Sequence, residues 1–445
     1  MFKHTIIASA VLLATSTAWA ASNNNQADVE QYGNGNSAEV IQVVGSASNK
    51  ANIYQQGDWN KAKTEQESTA RSIANTTQVG FNNQANILQA DKANRSEATI
   101  ETVGNHNKAD ITQKIENGKA DATVLQHGDA NQATIIQNNA DMASSTINQY
   151  SDHNTAKIDN YWSDKANATV TQGGAGSHHA EVNQKASDGA VAEVHQGGYA
   201  NRATVDQNTE NYDYLASEGT SATVLQYGDL NMASVTQRDQ NNVALVIQDG
   251  DSGNYTVSQK GSANDKGNHA DGYQAGYAET AEVSQDGERN EVTTVQLGQY
   301  DTAKVTQQGN GNTGKVFQDV GSHNSTVTIA QNGTDNYADG ATYQGAYNTV
   351  TLTQSGHYNR ATGYAGGGDG NEVKVTQTGL SHEATAGAWG GENDIAITQQ
   401  GVDNSATAYA IGYGNEITVN QNDSSNVASA NSVGNFNTIL ISQGN

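Results

Sequence analysis

The feature that most constrains this chain is a spacing, Gln-x-Gly-x-x-Asn-x-Ala-x-x-x-Gln. It occurs without departure six times, starting at Gln31, Gln55, Gln78, Gln126, Gln196 and Gln226. The six copies supply Asn36 and Gln42, Asn60 and Gln66, Asn83 and Gln89, Asn131 and Gln137, Asn201 and Gln207, and Asn231 and Gln237. Looser copies carry Thr102 for the first Gln, Asp301 for Asn or Val292 for Ala, and fill most of the gaps. Closing positions counted from Gln31 to Gln443 give about 36 half-repeats, so one repeat architecture spans residues 21–445 as a single domain.

Within a repeat the apolar positions alternate with period two, which excludes an amphipathic helix and predicts strands. In LQHGDANQATIIQ (125–137), Asn131, Ala133, Ile135 and Gln137 share one face, while Gln132, Thr134 and Ile136 share the other. The face with the small and branched apolar residues is the buried one, yet it carries an amide at each end. Four residues such as His127-Gly128-Asp129-Ala130 turn the chain, with Gly supplying the positive φ of a tight turn.

Near the C-terminus, Asn371, Asn393, Asn415 and Asn437 recur every 22 residues, followed by Gln377, Gln399, Gln421 and Gln443. Asn404 and Asn426 lie between them, and His382 stands where another Asn belongs. One strand of each unit turns Val or Ile inward, as at Val373, Val375, Ile395 and Ile397. The alternate strand turns in Ala361, Gly363, Ala365, Ala384, Ala386 and Ala388. Large facing small fills a thin core without voids.

These observations predict an all-β, amyloid-like fold: a β-solenoid of roughly 18 stacked two-stranded rungs of about 22–24 residues, with about 4.8 Å between strands. The buried amides then have a purpose. Stacked in register, identical Gln and Asn side chains both donate and accept, and form ladders along the axis. An unpaired buried amide costs roughly 1–3 kcal/mol, so the ladders also penalise register slips. Two longer intervals, near 208–220 and between Gln259 and Gln274, predict loops that bulge from the wall.

The chain opens MFKHTIIASAVLLATSTAWA, with Lys3, an apolar run from Ile6 to Ala14 and Ala18-Trp19-Ala20. This reads as a signal peptide over 1–20, too short for a membrane span. The sequence contains no Cys and no Pro. That excludes disulfides and cysteine-based zinc sites, and suits a chain that is nearly all central strand and tight turn. Loss of Lys3 from the 22 basic residues leaves 21 against 47 acidic ones, about −26. Without basic clusters, nucleic acid and acidic membranes are poor partners, and no membrane insertion is expected.

The motif resembles that of curlin, the subunit of bacterial curli fibres, and QYGNGNSAEVIQ (31–42) matches the curlin repeat throughout. The resemblance covers almost the whole chain after residue 20. It implies a secreted structural subunit that self-assembles head to tail into extracellular, cell-surface amyloid fibres for biofilm matrix and adhesion, with a dedicated secretion and nucleation apparatus. By position, the ladder role passes to Gln31, Asn36, Gln42 and their equivalents. A minor or nucleating component of the same fibre, or a monomeric β-solenoid adhesin, are the alternatives. Two features depart from familiar members: this chain has many more repeats, and only ASNNNQADVE separates the signal from the first motif. Because the outermost repeats do not differ in kind from the inner ones, growth at uncapped ends is expected.

Other chemistry finds little support. The adjacent His178 and His179 lack a third ligand at a recognisable spacing. DGDSGN (249–254) begins like a calcium loop but has Lys260 at the twelfth position, and GGGDGNE (366–372) fits a Gly-rich turn. No converging catalytic set is singled out, so the expectation is no enzyme, no cofactor and no metal. Tyr32, Tyr227 and Tyr358 fall in turns, where they decorate the surface or stack along a fibre. Outward positions mix Thr with Lys, Glu and Gln, unlike the flat Thr rows of an ice binder.

Overall fold

A computed structural model describes residues 24–43, 45–115, 118–208, 219–261 and 266–444. The signal peptide over 1–20 lies outside the described residues, as do most of the loop near 208–220 and the centre of the one after Gln259. Every described element is a strand, and the chain divides into two compact units between Thr220 and Ser221.

In the first unit, alternate strands belong to two parallel sheets of eight strands each. Gln26–Tyr32 pairs with Lys50–Asp58, which pairs with Ile73–Phe81, so Gln31, Gln55 and Gln78 stack in register. On the other sheet, Ser37–Gln42, Lys61–Gln66 and Gln84–Gln89 stack in the same way. A strand thus bonds to the one before last and not to its chain neighbour, and the path is a β-solenoid. The second unit repeats the plan with ten long strands per sheet, plus the two-residue pair Ser322–His323 and Gly345–Ala346.

The hydrophobic pattern fixes this register, because a one-residue slip would turn every Ala, Val and Ile outward. Ala133 and Ile135 are buried in the strand Gln132–Asn138, as are Val373, Val375, Ile395 and Ile397 farther on. The small residues face the large ones as the sequence predicts. A Cβ built on Gly363 would stand 2.8 Å from Val350 Cγ1 and 2.9 Å from Leu352 Cδ2, so those side chains fill the space the glycine leaves.

The turns differ from expectation in one respect. Many have two left-handed positions, and in several of these glycine takes only one of them. Gly128 has φ +127°, but Ala130 in the same turn has φ 57°. Trp59, His106 and Phe436 occupy the second position in other turns, after Gly57, Gly104 and Gly434. Ordinary side chains hold a conformation that costs them energy, and the stacked turns above and below supply the compensating hydrogen bonds.

Candidate functional site

The inward Gln at each strand end makes two kinds of bond. One Nε2 proton runs along the axis: Gln31 donates to Gln55 Oε1 at 2.6 Å and Gln55 to Gln78 at 2.7 Å. The other crosses the core, as from Gln137 to the Asp121 carbonyl at 3.0 Å. A buried amide therefore ties neighbouring turns together and fastens one sheet to the other. On the second sheet of the first unit the row runs Gln42, Gln66, Gln89, Gln113 and Gln137, with spacings of 2.7–2.9 Å. The second unit has a row of its own, unbroken from Gln237 through Gln377, Gln399 and Gln421 to Gln443. The facing sheet carries Gln226, Gln248, Gln274, Gln296 and Gln318, and then the row stops at Thr342.

Two substitutions interrupt the rows of the first unit. Thr102 is too short to reach either neighbour, and Gln78 Nε2, Thr102 Oγ1 and Gln126 Oε1 are buried without a hydrogen-bond partner. The row resumes from Gln126 through Gln149 and Gln172 to Gln196. On the other sheet Asn160 replaces Gln, and the gap is bridged from across the core. Gln137 and Asn160 both donate to Ser145 Oγ, at 2.9 and 3.1 Å, before the row resumes with Gln184 and Gln207. Ser145 stands where other repeats have Ala, a signal the sequence held and the repeat count passed over.

The inward Asn residues work differently from the Gln rows. Their Oδ1 accepts the backbone N–H of the next Asn, as Asn36 does from Asn60 at 2.9 Å and Asn107 does from Asn131 at 3.0 Å. Their Nδ2 donates to the glycine carbonyl of the next turn, as from Asn36 to Gly57, Asn60 to Gly80 and Asn83 to Gly104. Asn231 does the same to Gly250. In both units an amide-to-amide contact is added at many turns, with Asn83, Asn312, Asn393, Asn415 and Asn437 among those that donate to the preceding Asn. These asparagines staple turns to turns, and side-chain stacking alone does not describe them.

Histidine enters the same rows. His178 Nδ1 accepts the Asn201 N–H at 3.2 Å, and Nε2 lies 2.6 Å from the Gly173 carbonyl. His382 repeats this with Asn404 and Thr378. Nδ1 takes the place of an Asn oxygen and Nε2–H that of its N–H, so the ring must be neutral to fit. Burial pushes the His382 imidazole below its usual range, consistent with that form. His178 is thus a staple, and its neighbour His179 points along a strand face.

Acids enter as well. From Asn231 the row passes through Gly253, Glu279, Asp301, Ser325 and Asn348 to Asn371. Glu279 and Asp301 are buried, and Asp301 Oδ1 accepts the Ser325 N–H at 2.8 Å. Burial, then the neighbouring Asp301, pushes the Glu279 carboxyl up to about 8. Burial pushes Asp301 up to about 6, against the hydrogen bonds and His323 that favour its anion. Asp301 is visible in the sequence as a substituted Asn. Glu279, five residues after Gln274, was missed.

Tyr32, Tyr227 and Tyr358 are about half exposed at turns. Tyr32 lies 5.8 Å from Tyr54 of the next turn, ring centre to ring centre. A family model for the curlin associated repeat matches residues 23–49, 322–356, 345–379 and 390–422. No curated protein matches the chain.

Proposed function

We propose, for a chain that belongs to the curlin-repeat family, that it is a structural subunit which self-assembles into extracellular fibres. The observation that carries this reading is the unbroken amide row from Gln237 to Gln443, with a donor–acceptor distance of 2.8–2.9 Å at every step. A turn contributed by another copy can repeat the same contacts: parallel backbone pairing on both sheets, one Nε2–H···Oε1 bond along each row, and one Asn staple at the corner. Each unmade buried amide bond costs roughly 1–3 kcal/mol, so copies added in register are favoured over copies added out of register. Identical side chains stacked every ~4.8 Å are the arrangement of cross-β fibres.

Export, residence at the cell surface, and roles in biofilm matrix and adhesion belong to the same proposal, with a dedicated secretion and nucleation apparatus as partner. The apolar run and Ala18-Trp19-Ala20 support export, and the amino-terminal sequence of extracellular protein should begin at Ala21. Fibre formation is tested by incubating purified protein with and without preformed seeds. Dye-binding fibres with reflections near 4.7 and 10 Å are expected. Protein that stays monodisperse when seeded, with its far-ultraviolet strand signal intact, overturns the reading.

A further inference from the structure

Three successive turns of the first unit carry a cation at the same position. Arg71, Arg95 and Lys119 lie 24 residues apart in sequence, which hides them as a group. Each has a left-handed backbone, with φ of 61°, 60° and 61°. Their N–H groups donate to the carbonyls of Ala47, Ala70 and Asn94 in the preceding turn, at 2.9, 2.9 and 3.0 Å, so the three residues stand one above another. At the usual ~4.8 Å between turns, such like charges repel. All three are exposed, and among the described residues none is in an ion pair. With Ala47, Ala70 and Asn94 they line an open groove of about 750 Å³. The strip stops where acids begin. Arg71, Arg95 and Lys119 follow neutral Ala70, Asn94 and Gly118, whereas the next residues of the column, Met142 and Lys165, follow Asp141 and Asp164.

A strip of this kind fits a partner with negative charge at the same interval, and the second unit carries one. Glu372, Asp394 and Glu416 pair in register on successive strands, one carboxylate on each turn. Each directly follows an inward Asn and is exposed, and among the described residues none is in an ion pair. The cation beside them is Lys374, in an outward column that continues with uncharged Ala396 and Thr418. Of the 21 basic residues after residue 20, 13 lie at 21–220 and 8 at 221–445, so the first unit is the richer in cations.

We propose that the Arg71–Arg95–Lys119 strip is a side-to-side docking surface for the Glu372–Asp394–Glu416 column of a second copy of this chain. The same strand spacing sets both columns, so three opposite charges meet without either backbone adjusting. A flexible polyanion would have to be straightened to match, at a cost in entropy. The formal −25 of each copy opposes approach at long range. At ~0.1 M salt, screening over about 10 Å damps that repulsion and leaves the charges in direct contact. Exposed ion pairs are individually weak, and one contact holds three of them. A fibre repeats the contact once per copy, and the repeats act together. Docking of this kind therefore rests on the fibre reading, and adds to it how fibres lie side by side.

The test grows fibres of full-length protein, verifies them by dye binding, and spins them at low speed, which pellets bundles and leaves single fibres in solution. Unaltered fibres should pellet at ~0.1 M salt and disperse at ~1 M, where screening acts over about 3 Å. The combined change Arg71→Glu, Arg95→Glu and Lys119→Glu should cut the pelleted fraction roughly tenfold, because every repeat of the contact is lost at once. Glu372→Lys, Asp394→Lys and Glu416→Lys together should do the same. Fibres of these two variants, mixed after growth, should bundle again, since each offers the charge the other lacks. Lys50→Glu, Lys61→Glu and Lys185→Glu, exposed sites off the strip with the same change in net charge, should leave bundling in place. Should charge reversal stop fibres forming, Arg71→Gln with Arg95→Gln and Lys119→Gln must still abolish bundling. Unaltered fibres that stay single at every salt concentration, bundles that survive both reversals, or a mixture that stays dispersed overturns the docking and leaves the fibre reading standing. Capture of polyglutamate by fibres that do not bundle also overturns it, and assigns the strip to a foreign polyanion. Failure of the unaltered protein to form fibres overturns both.

Discussion

At the scale of single residues, the amide rows show what one missing atom group does. Thr102 leaves a donor on Gln78 and an acceptor on Gln126 buried and unpaired. Thr102→Gln should close the row, with one new bond on each side, and stabilise the first unit by roughly 1–3 kcal/mol, read as a shift in denaturant midpoint at constant slope. No change in midpoint would mean that the gap is already satisfied. The acidic pair gives the opposite case, a polar site whose fit depends on pH. Folded Glu279 and Asp301 hold protons where the unfolded chain has released them, so unfolding releases protons and stability falls as pH rises. For Glu279 the window runs from its ordinary 4.5 up to about 8, and for Asp301 from 3.8 up to about 6. The second unit should therefore lose on the order of a few kcal/mol between pH 5 and pH 8. Glu279→Gln with Asp301→Asn should flatten that dependence and stabilise the unit at pH 8. Melting temperatures that are higher at pH 8 than at pH 5 for the unaltered protein would exclude this.

At the scale of the element, one strand pair breaks the Ala-and-Val rule and restores it with a partner. Tyr255 is wholly buried in the strand Asn254–Lys260, at a position where other repeats have Ala. Its ring fits because Gly272, on the facing sheet, has no side chain; a Cβ there would stand 2.1 Å from the tyrosine Cζ. The hydroxyl pairs with Thr294 Oγ1, which satisfies the one polar atom brought inside. Tyr255→Ala should cost roughly 3–5 kcal/mol for the cavity, and Gly272→Val should cost at least as much as ordinary overpacking, roughly 1–3 kcal/mol. The double variant returns the pair to the common pattern and should be less destabilised than the sum, by a coupling of at least about 1 kcal/mol in a double-mutant cycle. Strand boundaries, register and the large-to-small pairing of 361–397 were legible because the repeat writes them directly: a motif read every 22–24 residues states which side chains stack. Three features were hidden for physical reasons. His178 falls six residues after Gln172, not five, so the count lands on Ser177 and the ring reads as half of a histidine pair. Ser145 matters only through a bond across the core to the other sheet, which no single strand displays. The cluster of Phe317, Tyr343 and Tyr364, with ring centres 6.0 and 6.3 Å apart, appears only when the successive turns that carry them are placed one above another.

At the scale of the whole molecule, charge opposes the order that the amides favour. The chain carries a formal −25, and in-register stacking brings like charges together. Glu372, Asp394 and Glu416 form one outward column with a carboxylate on every turn. Burial first, then those two neighbours, raises the Asp394 carboxyl above its ordinary range. At ~4.8 Å two such charges repel by about 1 kcal/mol even in water, and each added copy brings its whole set to the contact. Backbone and amide bonds at the contact are short-ranged and hardly feel salt, whereas the repulsion between exposed carboxylates is screened over about 10 Å at 0.1 M. Seeded growth should therefore quicken as salt rises from low to moderate concentration, and as pH falls toward the sequence pI of about 4.6. Replacing Glu372 and Glu416 with Gln and Asp394 with Asn removes the column's charge while keeping its shape. That variant should grow faster at low salt and gain less from added salt than the unaltered protein. The measurement is the initial elongation rate on a fixed mass of sonicated seeds, at several ionic strengths and at pH 7 and 5. Rates independent of salt, or a neutralised variant that keeps the full salt response, would show that self-repulsion does not limit the joining of copies. Growth would then be governed by the pairing of strands and amides alone.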